Sequence, residues 1–163
     1  MSNITLLDGG LGQELIHRAG DRPTPLWSIQ VMVEHPGMVA GVHRDFAAAG
    51  ATITTTNTYM THHDRLAGTA MEGQFASLHA LALKEAKGSG AARIAGSIGP
   101  LKASYRPDLH PAPEVATPLY AEVANVLAPS CDLLICETVV SCDHATSVLA
   151  GAACAVKPVW LAL

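Results

Sequence analysis

Asn57, Ser97 and Glu137 stand 40 positions apart, and each follows a short apolar run. The runs are 51–56, 92–96 and 132–136. A fourth, 4–7, leads into Asp8-Gly9-Gly10, and a fifth begins at 158–162. Between them lie helical patterns at 36–49, 73–87, 113–127 and 142–155. In the first of these, Pro36 suits an opening turn, Met38, Val39, Val42 and Phe46 form one apolar stripe, and Gly50 is a natural stop. Strands that alternate with helices predict a parallel sheet, and runs apolar on both faces predict that helices cover it. A period near 40 residues is the size of one strand-helix unit of an eight-stranded barrel. The predicted fold is therefore α/β, a (β/α)8 TIM barrel of which the chain holds the first five strands. Residues 1–163 would be the N-terminal part of one barrel domain. An open doubly wound sheet is the rival. It is disfavoured by the 44 positions from Leu7 to Ala51, where Pro23, Pro25 and Pro36 predict a long loop wrapping one end. The segment 105–113, with Pro107, Pro111 and Pro113, also reads as a loop.

This layout matters because parallel strands collect functional groups at their carboxyl ends. The polar clusters would form one rim around one site. Bulk composition narrows what that site serves. Hydrophobic residues are 49% and charged residues 15% of the chain, which suits a packed globule. A net charge of -4 offers no basic footprint for nucleic acid. No run approaches the roughly 18 apolar residues of a membrane span, and Met1-Ser2-Asn3 opens no signal-peptide pattern, so the expected compartment is the cytoplasm. Cys131, Cys136, Cys142 and Cys154 contain no C-x-x-C pair. Cys136 and Cys154 are expected as small buried hydrophobes, and Cys142 falls in the loop after Glu137.

Asp8-Gly9-Gly10-Leu11-Gly12 lacks the third glycine of a dinucleotide loop, since position 15 is Leu15. Either Asp8 caps a following helix, or the glycines admit a ligand's close approach while Asp8 faces it. Glu137 ends an apolar strand, and a poorly solvated carboxylate needs a partner. No Lys or Arg occurs from Asp108 through Val156. A distant Arg44 or Arg65, a backbone donor or a cationic ligand would have to supply one. Asp8 with Glu137 would make an anionic pocket suited to an ammonium group. Asn57, Thr58 and Tyr59 could bind a ligand or satisfy loop backbone. The turn Ser97-Ile98-Gly99-Pro100 could present N–H groups to a carboxylate. His62-His63 reads as a pair of solvated loop histidines.

Together these segments resemble the homocysteine S-methyltransferase family. The resemblance rests on Leu7-Asp8-Gly9-Gly10, Leu26-Trp27-Ser28, His35-Pro36, Val42-His43-Arg44-Asp45-Phe46, Thr55-Thr56-Asn57-Thr58-Tyr59, Gly96-Ser97-Ile98-Gly99-Pro100 and Asp132-Leu133-Leu134-Ile135-Cys136-Glu137-Thr138. They are collinear and cover nearly the whole chain. The Leu-Trp-Ser segment looks most like the branch that uses S-methylmethionine or S-adenosylmethionine. The resemblance implies methyl transfer to the thiol of homocysteine on the way to methionine, with homocysteine and a methyl donor as partners. It implies substrate contacts at Asp8, Gly9, Gly10, Asn57, Ser97 and Glu137. It also implies zinc, held in the family by cysteines of Gly-x-Asn-Cys and Gly-Gly-Cys-Cys segments. Neither segment occurs in this chain, so no catalytic or metal residue is assigned to it. Two other readings remain: a non-catalytic half-barrel that pairs with itself or another chain, and a TIM-barrel lyase. A Schiff-base lyase would need a strand-end lysine, and Lys102 is a poor candidate.

Overall fold

The computed structural model describes residues 4–21 and 25–163. The 1–3 stretch and Pro23, both used in the sequence reading, lie outside the described residues. Four strands form one sheet: β1 (Ile53–Thr55), β2 (Arg93–Ile98), β3 (Leu133–Cys136) and β4 (Val159–Leu161). They lie in the order β1-β2-β3-β4, and every pairing is parallel. The expected α/β chain with a parallel sheet is thus present.

The predicted strand at 4–7 is reduced to a single bridge from Leu7 to Ile53. Thr52 N donates to Leu6 O at 2.9 Å and Asp8 N to Ile53 O at 3.1 Å. Pairing stops there because Gly9 and Gly10 turn the chain into a helix, and at the other end Ile4 is 82% exposed.

The segment between Asp8 and the helix expected at 36–49, read as a long loop, is largely helical: it holds α1 (Leu11–Arg18) and α2 (Ser28–Glu34), and α3 (Met38–Ala48) stands where the helix was expected. Pro36 sits in the turn before α3 and not in its first turn; Gly37, with φ 86°, is the N-cap. That cap is completed from a distance. The Glu85 carboxylate accepts from Gly37 N at 3.0 Å and Ala40 N at 2.9 Å, meeting the orphan donors of a helix start. Gly50, at φ 109°, ends the excursion as expected.

The remaining helices are α4 (His63–Leu66), α5 (Phe75–Lys87), α6 (Pro113–Leu127) and α7 (Cys142–Ala152). A 3-10 turn, Ala153–Ala155, follows α7 and leaves Cys154 exposed, against expectation. Cys131 and Cys136 are buried. Among the described residues no helix is long and apolar enough to cross a membrane.

Side chains alternate across the sheet as a period of two requires. Ile98, Leu134 and Cys136 join the main core beneath the helices. Ile53, Ala95, Leu133 and Ile135 form a separate buried cluster. Helix α6 can lie close over β2 because Gly96 carries no side chain; a Cβ there would meet Leu134 at 2.9 Å and Leu127 at 3.1 Å.

Candidate functional site

The strand ends open onto one cavity of about 680 Å³. Asp8, Gly9, Gly10, Asn57, Ser97 and Glu137 all line it. The 40-residue spacing therefore does bring these positions together, through the parallel register that pairs Ser97 with Ile135 and Ile98 with Cys136.

Their local roles differ. Asp8 does not cap α1: Gly10 is the N-cap, and no side chain caps it. The Asp8 carboxylate instead turns to the neighbouring strand end. It accepts from Thr55 N at 2.7 Å and Thr55 Oγ1 at 2.5 Å. His43 Nδ1 stands 3.4 Å from Asp8 Oδ2, with the His43 side chain fully buried and that of Asp8 2% exposed. His43 was not singled out from sequence. The available signal was its place four residues after Val39, inside the apolar stripe of α3, where a polar side chain must find a buried partner.

Glu137 accepts from Ser97 Oγ at 2.5 Å through Oε1. Its Oε2 has no hydrogen bond among the described residues. Neither candidate arginine reaches it: Arg44 donates to Gly88 O, and Arg65 to Pro100 O and Ser104 Oγ. Burial pushes the Glu137 carboxyl above its ordinary range, the Ser97 hydrogen bond pulls it partly back, and the charge of Asp8 raises it further. Two carboxylates thus face one cavity, and among the described residues no basic side chain pairs with Glu137.

Ser97 N donates to Thr56 Oγ1 at 3.0 Å, and Ser97 O accepts from Thr58 Oγ1 at 2.7 Å. Its N–H is therefore engaged within the protein and not held out to a carboxylate. Asn57, 4% exposed, is likewise bound: Oδ1 accepts from Ser28 Oγ at 2.7 Å and Nδ2 donates to Ser28 O at 3.0 Å. It ties the start of α2, and so the Trp27 wall, to the β1 rim.

Free backbone donors lie elsewhere. The N–H groups of Gly9, Gly10, Gly12 and Gln13 have no partner among the described residues, and all four residues line the cavity at the start of α1. Such a terminus favours an anion. Gly12 also makes room for the ring of Trp27: a Cβ would meet its Cη2 at 2.3 Å. Trp27 and Tyr59 stand edge to face with centroids 6.4 Å apart. Trp27, Tyr105 and Thr138, all in the lining, have φ values of 47°, 59° and 56°. Non-glycine residues held there are strained, and such strain gathers at functional sites.

The histidine pair divides. His63 is exposed and meets Glu122 at 3.1 Å, but His62 is buried, with Nε2 3.0 Å from Gly99 O. Among the described residues no three His, Cys, Asp or Glu side chains gather as a metal site. None of the four cysteines lines the cavity, so the residues in hand do not fit a zinc centre.

Comparison with known proteins bears on this geometry. The family model for homocysteine S-methyltransferase matches residues 5–163. A homocysteine S-methyltransferase of Escherichia coli (strain K12) is 32% identical over 155 residues, covering 83% of this chain and 50% of the relative. Homocysteine S-methyltransferase 3 of Zea mays is 41% identical over 54 residues, covering 33% of this chain and 16% of the relative. The crystal structure of the homocysteine methyltransferase MmuM from Escherichia coli, in its metallated form, superposes with a TM-score of 0.84 at 27% identity. That match covers 98% of this chain and 62% of MmuM. The chain spans about half the length of the Escherichia coli relative.

Proposed function

Because the chain belongs to the homocysteine S-methyltransferase family, we propose that its cavity grips the amino-acid end of homocysteine for methyl transfer to the thiol. The observation that carries this is the pair Asp8 and Glu137, two cavity carboxylates, one with an unpaired oxygen raised by burial. An α-ammonium group placed between them supplies the missing cation. The substrate's α-carboxylate then takes the open N–H groups at the start of α1. Ser97 acts by holding Glu137, and Asn57 by holding the α2 wall, so both position the site from within.

Fixing one end of a short flexible molecule orients the other, which is worth several kcal/mol of barrier when the reacting atoms are brought into line. The thiolate sulfur attacks the methyl carbon of a sulfonium donor. A new S–CH3 bond forms, and the donor's S–CH3 bond breaks with its electron pair left on a neutral thioether. The thiol proton passes to solvent. Trp27 and Tyr59 offer aromatic surface to the donor's positive sulfur. Family members use zinc to ionise the thiol, but the described residues of this chain do not form such a centre. This chain's part is to bind, orient and shield. In this reading the sheet is the first portion of a (β/α)8 barrel, with Ile53, Ala95, Leu133 and Ile135 as inward-facing residues.

The Schiff-base lyase alternative finds no nucleophile among the described residues, since no lysine lines the cavity. Titration calorimetry of homocysteine with Glu137→Gln and Asp8→Asn tests the proposal. Loss of a charge-assisted contact of about 1.5–3 kcal/mol should weaken binding roughly ten- to a hundredfold. Unchanged affinity in both variants would remove the ammonium role.

A further inference from the structure

Arg65 lines the same cavity as the two carboxylates, yet among the described residues it makes no ion pair. It is carried by α4, the short helix after β1. Nη2 donates to Pro100 O at 3.2 Å and to Ser104 Oγ at 3.4 Å. Nε is buried without a partner, whereas Nη1, also without a hydrogen bond, is not closed off. Ser104 Oγ is in turn 2.8 Å from Tyr59 Oη, and both residues belong to the lining. The guanidinium is thus held in place by neutral oxygens that fix its plane, and among the described residues no carboxylate pairs with it directly.

That arrangement is costly unless something answers it. Burial lowers the guanidinium's proton affinity, with Asp64 partly opposing. A half-buried guanidinium with only neutral partners gives up hydration for weak compensation, and a planar fork is matched best by a carboxylate. The cavity lining therefore carries carboxylates at Asp8 and Glu137 and, apart from them, a guanidinium with no ion pair at Arg65.

Resting on the methyl-transfer reading above, we propose that Arg65 binds the carboxylate of the methyl donor, so that the site selects sulfonium donors that bear one. The acceptor's charges are already answered by Asp8, Glu137 and the α1 terminus. Arg65, Ser104 and Tyr59 form a second polar group beside the aromatic surface assigned to the sulfonium. A donor spanning the two would place its cationic sulfur on Trp27 and Tyr59 and its carboxylate on Nη1.

The test measures binding to the 163-residue chain by calorimetry. The ligands are S-methylmethionine, the decarboxylated analogue (3-aminopropyl)dimethylsulfonium, and homocysteine. Wild type should bind S-methylmethionine at least tenfold more tightly than the analogue. Arg65→Met should erase that preference while homocysteine affinity stays within twofold. Arg65→Lys, which keeps charge without the fork, should retain part of it and serves if the methionine variant does not fold. No preference in wild type, or a preference that survives both substitutions, overturns the proposal. A parallel tenfold loss of homocysteine affinity overturns it too, by placing Arg65 on the acceptor. Homocysteine binding to wild type is read separately, so failure of the functional reading is distinguishable from failure of the Arg65 assignment.

Discussion

Glu137 shows how one residue can be poorly placed for stability and well placed for a ligand. Its carboxyl is raised by burial and by Asp8, so the folded state holds its proton more tightly than the unfolded chain does. Its contribution to stability is complete at low pH and is lost as pH rises through the raised value. Glu137→Gln should therefore raise the stability of the ligand-free protein at pH 7 by about 0.5–2 kcal/mol, read from urea denaturation, while weakening homocysteine binding. A variant destabilised at pH 7 would contradict this account of Glu137. For the ligand the sign is opposite: ammonium binding needs the ionised form and declines as pH falls through the same range. Asp8, Ser97 and Glu137 were legible in the sequence because each follows a short apolar run. Their partners were less so. Thr55 and His43 reach Asp8 across 47 and 35 positions, and no local pattern announces contacts that the fold alone creates. Arg65 stood in the sequence only as a distant possibility for Glu137, and it faces other oxygens.

Among the elements, the helices with long amphipathic patterns were the readable ones. Helix α6 occupies Pro113–Leu127 as its periodicity and opening proline predict. Between Asp8 and β1, α3 answers the helix expected at 36–49, although its start is set by Glu85, 48 positions from Gly37, and the unforeseen α2 is only seven residues long. The scattered histidines also converge only at this scale. The His110 and His144 rings lie tilted with centroids 4.6 Å apart, His110 Nε2 is 3.1 Å from Tyr120 Oη, and His62 meets the Tyr120 ring edge-on at 6.0 Å. Burial lowers His62 and His144 to about 4, and lowers His110 and His79 as well. Their unfolded values lie near 6.5. The unfolded chain therefore binds more protons between pH 6.5 and 4, and stability is lost as pH falls through that window. Each fully shifted imidazole contributes a slope of up to about 1.4 kcal/mol per pH unit. The opposing Glu137 is one group against four. Urea midpoints should fall between pH 7.5 and 5.5, and equal midpoints would show that this cluster does not stay neutral.

For the whole molecule, the parallel sheet and its single rim of strand ends followed from the alternation of patterns and the 40-residue period. The strand count did not, because the run at 4–7 pairs at one residue only. Strand β4 pairs with β3 alone among the described residues, and Trp160 and Leu161 are 38% and 37% exposed. An exposed apolar edge is a template for further strands. In the proposed function the cavity of this chain recognises an amino acid through its ammonium group. Calorimetry with homocysteine and with 4-mercaptobutyrate, which lacks only the α-amino group, tests it directly. Homocysteine should bind at least tenfold more tightly than 4-mercaptobutyrate, with the difference lost in Glu137→Gln. Equal binding of the two thiols by the wild-type chain would contradict the account.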